Sequence, residues 1–217
     1  MTVPGVLLRL SNTTSSPPLP GDLPNVEAIY TLKAADDDDG RTPSHNTVCF
    51  LSDITPLLSS EAHYNADAAA HRELEASSRA LSWVVCSFIN GRDTQGYAEP
   101  QTSRCVLPAP PAPGSVVVVN GSTPRPDKEA DYHAWYDQEH GLKLTQVPGW
   151  WAARRYALAK VYGETETANF YGINFYDADN GLGGPEWQAG VTEWTLRIRS
   201  NAAKPNIRRV WKVEGTQ

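Results

Sequence analysis

Apolar positions in the second half of the chain predict a strand followed by a helix. Residues 116–119 form a continuous β-branched run, which is typical of a buried strand. A helix is predicted from about residue 128 to residue 140 or a turn beyond, with Asp127 as its N-cap and Gly141 as a C-terminal stop. Its aromatic residues recur at helical spacing, so one side should face a core.

The rest of the second half is also predicted to consist of strands and a helix. Aromatic and β-branched residues dominate two segments that we expect to pair as antiparallel strands, residues 150–161 and 170–176. A second helix is predicted over residues 186–203, and a last strand over residues 207–213. The resulting order β-α-β-β-α-β is that of a ferredoxin-like fold, an antiparallel sheet with two helices on one face.

The first half repeats this order in a weaker form. One helix is predicted over residues 57–80, and strands are predicted over residues 6–10, 26–33, 48–51 and 83–89. Residues 11–25 hold four prolines, a composition that cannot form the first helix of the pattern. We therefore expect a ferredoxin-like module that lacks its first helix.

A proline-rich seam separates the halves. Four prolines within residues 107–114 predict an extended, semi-rigid connector. The predicted organisation is a degenerate module over residues 1–106, the linker over residues 107–114, and a complete module over residues 115–217. The predicted fold class is α+β, with two ferredoxin-like modules in tandem.

Composition narrows the choice of partner. The 217 residues include 25 acidic and 19 basic side chains and carry a net charge of −6, which argues against a nucleic-acid or an anionic membrane partner. No apolar run is long enough to span a membrane, and the first residues do not resemble a signal peptide. Three cysteines without a CxxC pair predict reduced thiols in a cytoplasmic protein. No nucleotide-binding or HExxH motif is present, so we expect neither a cofactor nor a metal.

The densest cluster of chemically capable side chains lies on the predicted helix 128–140. Tyr132, Tyr136 and His140 are spaced at i, i+4 and i+8, and Trp135 lies between them. A histidine beside aromatic walls can give or take a proton near neutral pH. The alternative is a core histidine that is hydrogen bonded to a backbone carbonyl.

Two more polar side chains lie at the edge of this stripe. His133, Asp137 and His140 are spaced at i, i+4 and i+7, which could in principle face a metal ion. We do not favour that interpretation, because His133 and Asp137 would lie off the stripe. We expect these two residues to border the substrate; the alternatives for Asp137 are that it faces solvent or orients an imidazole by hydrogen bonding.

Residues 132–158 resemble the WY-x-x-EH…VPGW-x-x-x-RRY signature of the EthD-like, dimeric α/β-barrel proteins. The resemblance is to the duplicated form found in fungal secondary-metabolite clusters. It implies that the sheets of two modules pack into one barrel and that a pocket opens between sheet and helices. Some members of the family are cofactor-free decarboxylases, isomerases or cyclases of polyketide-type substrates. The family histidine corresponds to His140, its neighbours to Trp135, Tyr136 and Glu139, and the RRY strand to residues 154–156.

Alternate residues on the predicted strand 150–161 should share a face. Trp150, Arg154 and Tyr156 then separate from the face that carries Arg155. We expect Arg154 to hold a carboxylate or enolate oxygen, because aromatic residues flank it. Asn174 on the neighbouring strand can add a hydrogen bond.

The leading hypothesis is a cofactor-independent enzyme that cyclises, isomerises or decarboxylates a polyketide-like intermediate. His140 would be the general acid/base, Tyr132 or Tyr136 a donor to a developing enolate, and Arg154 the anion anchor. Trp135, Trp150, Tyr156, Asn174, His133 and Asp137 would complete the substrate site. The alternatives are a carrier for a hydrophobic pathway intermediate and a pericyclase that acts by shape alone. The expected partner is a small hydrophobic or aromatic molecule, and the chain can also form a homodimer.

Overall fold

The computed structural model describes residues 2–13, 23–36, 43–74, 79–94, 96–98 and 105–217. The described residues form nine strands, of which eight are long enough to build a barrel. The strands are β1 Gly5–Asn12, β2 Val26–Ala34, β3 His45–Leu51, β4 Arg79–Asp93, β5 Gly96–Ala98, β6 Val116–Ser122, β7 Trp150–Tyr162, β8 Phe170–Tyr176 and β9 Ile207–Thr216.

All strand pairs are antiparallel, and the sheet closes on itself. The order is β1-β3-β2-β9-β6-β8-β7-β4-β5, and β1 also pairs with β4. The first half contributes the order β4-β1-β3-β2 and the second half the order β9-β6-β8-β7, so each half places its fourth strand beside its first. The result is an α+β protein built on an eight-stranded antiparallel barrel, and every strand predicted from the sequence is present.

Alternation along the strands fills the barrel with apolar side chains. The interior cluster draws on all eight barrel strands and includes Leu8, Tyr30, Phe50, Val84, Val117, Tyr156, Phe175 and Trp211. The outer faces carry separate apolar clusters under the helices. Burial of both faces explains why the strands β3 and β8 are buried along their whole length.

The helices are shorter than their sequence patterns suggested. The first predicted helix is divided into α1 Thr55–Ser59 and α2 Ala62–Leu74, because the chain is extended at Ser60. The last predicted helix is likewise two, α5 Pro185–Gln188 and α6 Glu193–Ser200. Thr192 begins α6 as a cap, since its side chain accepts a hydrogen bond from the backbone N–H of Thr195.

The helix after β6 covers the predicted range and the turn beyond it, but the predicted cap and stop residues are wrong. It begins with a 3₁₀ turn, Pro126–Lys128, so Asp127 is not the N-cap. It continues as α3 Glu129–Trp135, a π-helical turn Tyr136–His140, and α4 Gly141–Leu144. Gly141 has helical backbone angles and therefore does not stop the helix.

The proline-rich segment closes one end of the barrel. Cys105 and Leu107 are buried in the interior cluster, and the Gly114 N–H donates to the carbonyl of Val213. The predicted module boundaries remain predictions, and the missing helix falls largely on residues 14–22, outside the described residues. In the described part of the chain, no helix is long and apolar enough to cross a membrane.

Candidate functional site

A cavity of about 440 Å³ lies on the outer face of the second half, between the sheet and its helices. Its floor is formed by outward-facing residues of β6 and β8, and its roof by the helices α3, α4 and α6. Residues of its floor and roof include Val118, Asn120, Gly172, Asn174, Tyr176, Tyr132, Trp135, Tyr136, His140, Leu144, Thr195 and Ile198. This volume lies within the range of small-molecule sites.

The predicted aromatic stripe lines this cavity. Tyr132, Trp135, Tyr136 and His140 all contribute to its wall, as does Leu144 in the next turn. The π-helical turn lies within the stripe, and π turns often occur at functional sites. The structure therefore brings the sequence-predicted acid/base and donor residues together.

Two hydrogen bonds hold the stripe against α6. The indole N–H of Trp135 donates to the Thr195 hydroxyl, and the Thr192 hydroxyl donates to the carboxylate of Glu139. Glu139 therefore joins two helices and does not line the cavity.

Three buried polar atoms around the cavity have no hydrogen-bond partner in the described part of the chain. They are the Tyr136 hydroxyl, His140 Nδ1 and Asn174 Oδ1. A buried polar group without a partner costs about 1–3 kcal/mol, so such groups are uncommon and call for an explanation. Gly172 leaves room for the tyrosine, since a Cβ there would lie 3.1 Å from its hydroxyl oxygen.

The His140 ring is held between aromatic neighbours. It stacks on Trp135 with ring centroids 4.2 Å apart, and the edge of Tyr136 lies against it at 5.2 Å. Burial lowers the pKa of His140 to about 4, and the charges of Arg199 and Arg155 act in the same direction. At neutral pH this imidazole is uncharged and can accept a proton.

The two tyrosines of the stripe remain phenols. Burial raises the pKa of Tyr136 to about 12, against a smaller opposing effect of Arg155. The Asn174 side chain also favours the phenolate slightly, although no hydrogen bond of ordinary geometry joins it to the hydroxyl. Burial likewise raises the pKa of Tyr132. Both hydroxyls can therefore donate a hydrogen bond to a developing negative charge.

The prediction for Arg154 is wrong in its geometry. A β-bulge between Trp150 and Ala152 shifts the alternation on β7, so Trp150 lies on the outer face together with Arg155, while Arg154 points into the barrel. Arg154 is completely buried and forms an ion pair with Asp93 at 2.8 Å. It also donates to the carbonyls of Cys105 and Val106. Arg154 therefore holds the proline-rich segment and cannot anchor a ligand in the outer cavity.

Arg155 faces the helix in its place. Its guanidinium lies 4.2 Å from the ring centroid of Tyr136 and donates to Asp137 at 2.7 Å. It lies 2.7 Å from His133 Nδ1, which must accept because arginine is always a donor. Asn90 of β4 also donates to Asp137, so the first half of the chain supports this network.

These contacts change the roles predicted for His133 and Asp137. Both residues bind Arg155 behind Tyr136, and neither lines the cavity. Burial lowers the pKa of His133, with a further contribution from Arg155. No group of three metal-binding side chains forms within the described ranges, so His133, Asp137 and His140 do not converge on one point.

Two aromatic residues that were predicted to contact the substrate do not line the cavity. Tyr156 is buried in the barrel, with its hydroxyl 3.7 Å from the thiol of Cys105. Trp150 packs against Val147 and Tyr176, which line the cavity, but it does not line the cavity itself. Asn174 is in the predicted place.

Sequence reasoning missed the charged rim of the cavity. Four cations and one carboxylate line the opening: Lys143, Arg199, Lys204, Arg208 and Glu186. Their side chains make no ion pair with one another in the described residues. The signal was present in the sequence, since residues 197–209 hold five basic and no acidic side chains in an acidic chain.

Comparison with solved structures shows the fold. A protein described as anthrone oxidase-like superposes with a TM-score of 0.62 at 15% identity, over 99% of this chain and 92% of that one. A protein from Fusobacterium nucleatum, classed provisionally as a monooxygenase, gives a TM-score of 0.60 at 8% identity, over 100% and 94% of the two chains. A provisionally classed monooxygenase from Lactobacillus acidophilus gives 0.53 at 9% identity, over 99% and 95%.

This chain is similar to these structures in fold over nearly its whole length. No family model matches the sequence, and no curated protein does.

Proposed function

We propose that the protein is a cofactor-independent enzyme that acts by acid/base chemistry on a flat, polyketide-like molecule bound in the outer cavity. The observation that carries this proposal is the convergence of three unpartnered buried atoms, those of His140, Tyr136 and Asn174, on one cavity with aromatic walls. A substrate that pairs these atoms would remove their desolvation cost.

The first step is removal of a proton from an acidic carbon next to a carbonyl. His140 is neutral at physiological pH and accepts this proton at its ring. The electron pair moves onto the carbonyl oxygen, and the Tyr136 hydroxyl donates to the resulting enolate. Return of the proton from His140 to another carbon completes an isomerisation. In a cyclisation the enolate carbon attacks a second carbonyl, and the proton returns from His140 to the new alkoxide. Loss of CO₂ from a carboxylated substrate leads to the same enolate.

Arg155 is a positioning residue in this scheme. Its guanidinium packs against the Tyr136 ring and is held by Asp137 and His133. The positive charge behind the ring favours donation by the hydroxyl, since it lowers the pKa of Tyr136 relative to burial alone.

The charged rim indicates that the substrate carries an acidic group. Four cations face one carboxylate at the opening, although the whole chain is acidic. Such a local excess of positive charge attracts anions and weakens with added salt. We infer that a carboxylate of the substrate lies at the rim while its aromatic body enters the cavity.

A second candidate function is oxidation of an anthrone-like substrate by O₂. It is favoured by the anthrone oxidase-like and monooxygenase descriptions of proteins with this fold. The reaction consumes one O₂ per anthrone and yields anthraquinone and water. It begins with the same removal of a methylene proton, so His140 would have the same role.

The arrangement of the halves belongs to the proposal as well. The repeated strand order supports two tandem ferredoxin-like modules of which the second holds the site. A homodimer and a cytoplasmic location remain predictions.

The experiment uses anthrone as a probe, because its methylene lies between two aromatic rings and is acidic. Exchange of the methylene protons with D₂O is followed by proton NMR under argon, which isolates proton transfer from oxygen chemistry. Wild-type protein should accelerate exchange, and His140→Gln should reduce this acceleration by about 100-fold or more. His63→Gln, a histidine substitution on α2, is the matched control and should leave the rate unchanged.

The outcomes separate the candidate functions. Exchange under argon without oxidation in air supports the acid/base enzyme, and appearance of anthraquinone only in air with wild-type protein supports the oxidase. Binding of anthrone without exchange would favour a carrier. Turnover that survives His140→Gln would contradict the acid/base role and favour catalysis by shape.

A further inference from the structure

The barrel has a second cavity, which shares only the lining residues Asn206 and Arg208 with the outer one among the described residues. Its volume is about 600 Å³, and it opens at the end of the barrel opposite the proline-rich segment. Inward-facing residues from both halves line it, among them Leu8, Leu10, Val84, Val119, Tyr171, Ile207, Asn46, Arg209 and Trp211. Neither His140 nor any other residue of the aromatic stripe takes part.

Five unpartnered polar atoms lie in this cavity wall. Within the described part of the chain, both side-chain atoms of Asn46, both terminal nitrogens of Arg209 and the indole nitrogen of Trp211 are buried without a hydrogen-bond partner. Asn46 is 1% exposed, Arg209 7% and Trp211 2%. Four of the five atoms are donors, so a ligand that pairs with them must supply hydrogen-bond acceptors.

Contacts with Asp36 and Trp211 fix the position of the Arg209 guanidinium. Its Nε donates to Asp36 at 3.0 Å, and its guanidinium lies 5.2 Å from the ring centroid of Trp211. Asp36 also accepts from the backbone N–H of Val210. The ion pair therefore uses one edge of the guanidinium and leaves the two terminal nitrogens for another acceptor.

We propose that this end of the barrel binds an amphipathic monocarboxylic acid, with its carboxylate between Arg209 and Asn46 and its apolar body along Leu8 and Val119. A planar carboxylate matches the paired N–H groups of a guanidinium in two parallel hydrogen bonds. The Asn46 amide supplies a further donor, and the apolar walls bury the hydrocarbon.

The charges around the mouth limit the ligand to one negative charge. Asp36 already balances Arg209, and Glu164 and Glu166 lie exposed at the rim, opposed only by Arg208 among the described lining residues. A doubly charged phosphate would meet this acidic rim and a low-dielectric interior without further compensation. A monocarboxylate carries less charge to bury and is long enough to use the apolar depth.

The test is calorimetric titration of the full chain with decanoate, compared with methyl decanoate. We expect one decanoate to bind per chain and the ester to bind about tenfold or more weakly, since it cannot accept two charge-assisted bonds. Arg209→Gln should weaken decanoate binding to a similar extent. Lys212→Gln removes the same charge from an exposed position of the same strand and should have no effect.

A second variant keeps the test decisive if Arg209→Gln does not fold. Asn46→Leu removes two unpartnered atoms, so it should raise the midpoint of thermal unfolding and at the same time weaken decanoate binding. Equal affinity for acid and ester, or no binding of either, would overturn the proposal and leave ordered water as the partner of these atoms. Binding that is lost in Arg199→Gln and kept in Arg209→Gln would place decanoate in the outer cavity, which also contradicts it.

Discussion

The most informative stability prediction concerns the charge state of His140. In the folded protein its ring stays neutral down to a pKa of about 4, because burial opposes protonation. In the unfolded chain the same ring takes up a proton below about pH 6.5. Between these values the unfolded state binds more protons, so this histidine makes the protein less stable as the pH falls from about 6.5 to about 4.

The magnitude follows from the two pKa values. At about pH 4.5 the titration of His140 lowers the free energy of unfolding by about 2.5 kcal/mol, and at about pH 7.5 its effect is close to zero. His140→Phe retains an aromatic ring that can stack on Trp135 and removes the titration. The variant should therefore lose about 2.5 kcal/mol less stability than the wild type when the pH is lowered over this range.

The assay is urea unfolding of both proteins at the two pH values, followed by tryptophan fluorescence. The change in the free energy of unfolding between the two pH values is measured for each protein, and the two changes are subtracted. In this double difference the titration of all other groups cancels, including that of His133 with its own lowered pKa. A double difference within about 0.5 kcal/mol of zero would refute the reasoning. It would mean that the His140 ring is solvated and titrates normally.

Three further predictions concern the neighbouring residues. Arg154→Met should reduce the free energy of unfolding by about 3–5 kcal/mol in urea, because it breaks the buried ion pair with Asp93 and removes the donor to the Cys105 and Val106 carbonyls; a loss below about 1 kcal/mol would contradict the assigned role in the barrel. Tyr136→Phe should leave stability within about 1 kcal/mol of the wild type and slow anthrone exchange by about tenfold or more, and an unchanged exchange rate would remove Tyr136 from the mechanism. Gly172→Ala should also slow exchange, since the new Cβ would lie 3.1 Å from the Tyr136 oxygen; an unchanged rate would show that the tyrosine position is not critical.

The order of strands and helices could be predicted from the sequence because it depends on local patterns. Runs of β-branched and aromatic residues identify β6 and β8, and the aromatic spacing identifies the helix that the structure divides into α3, a π turn and α4. The same spacing placed Tyr132, Tyr136 and His140 on one side of the helix, and the structure shows that side facing a cavity.

The choice between the two arginines could not be made from the sequence. It depends on a bulge at Trp150–Ala152. Because of this bulge, Trp150 and Arg154 lie on opposite faces of β7, whereas strict alternation would place them on the same face. A bulge has no reliable signature in an aromatic strand. The face that points into the barrel is also decided by how the sheet closes on itself, which is a property of the whole fold.

Long-range contacts account for the other differences. The prolines predicted that residues 107–114 are extended. They did not predict that Leu107 packs in the barrel interior, or that Arg154 donates to the neighbouring carbonyl of Val106. The basic rim combines the run 197–209 with Lys143 of α4, which is far from that run in sequence. The network of Arg155 includes Asn90 from the other half of the chain.

The central claim is that the outer cavity holds a substrate against His140, Tyr136 and Asn174. The most direct test is a crystal structure of the protein with 1-hydroxy-2-naphthoate, a flat aromatic acid. We predict ligand oxygen atoms within about 3 Å of His140 Nδ1 and the Tyr136 hydroxyl, with the carboxylate directed to the basic rim. A naphthoate bound elsewhere, with these atoms paired only to water, would contradict the claim.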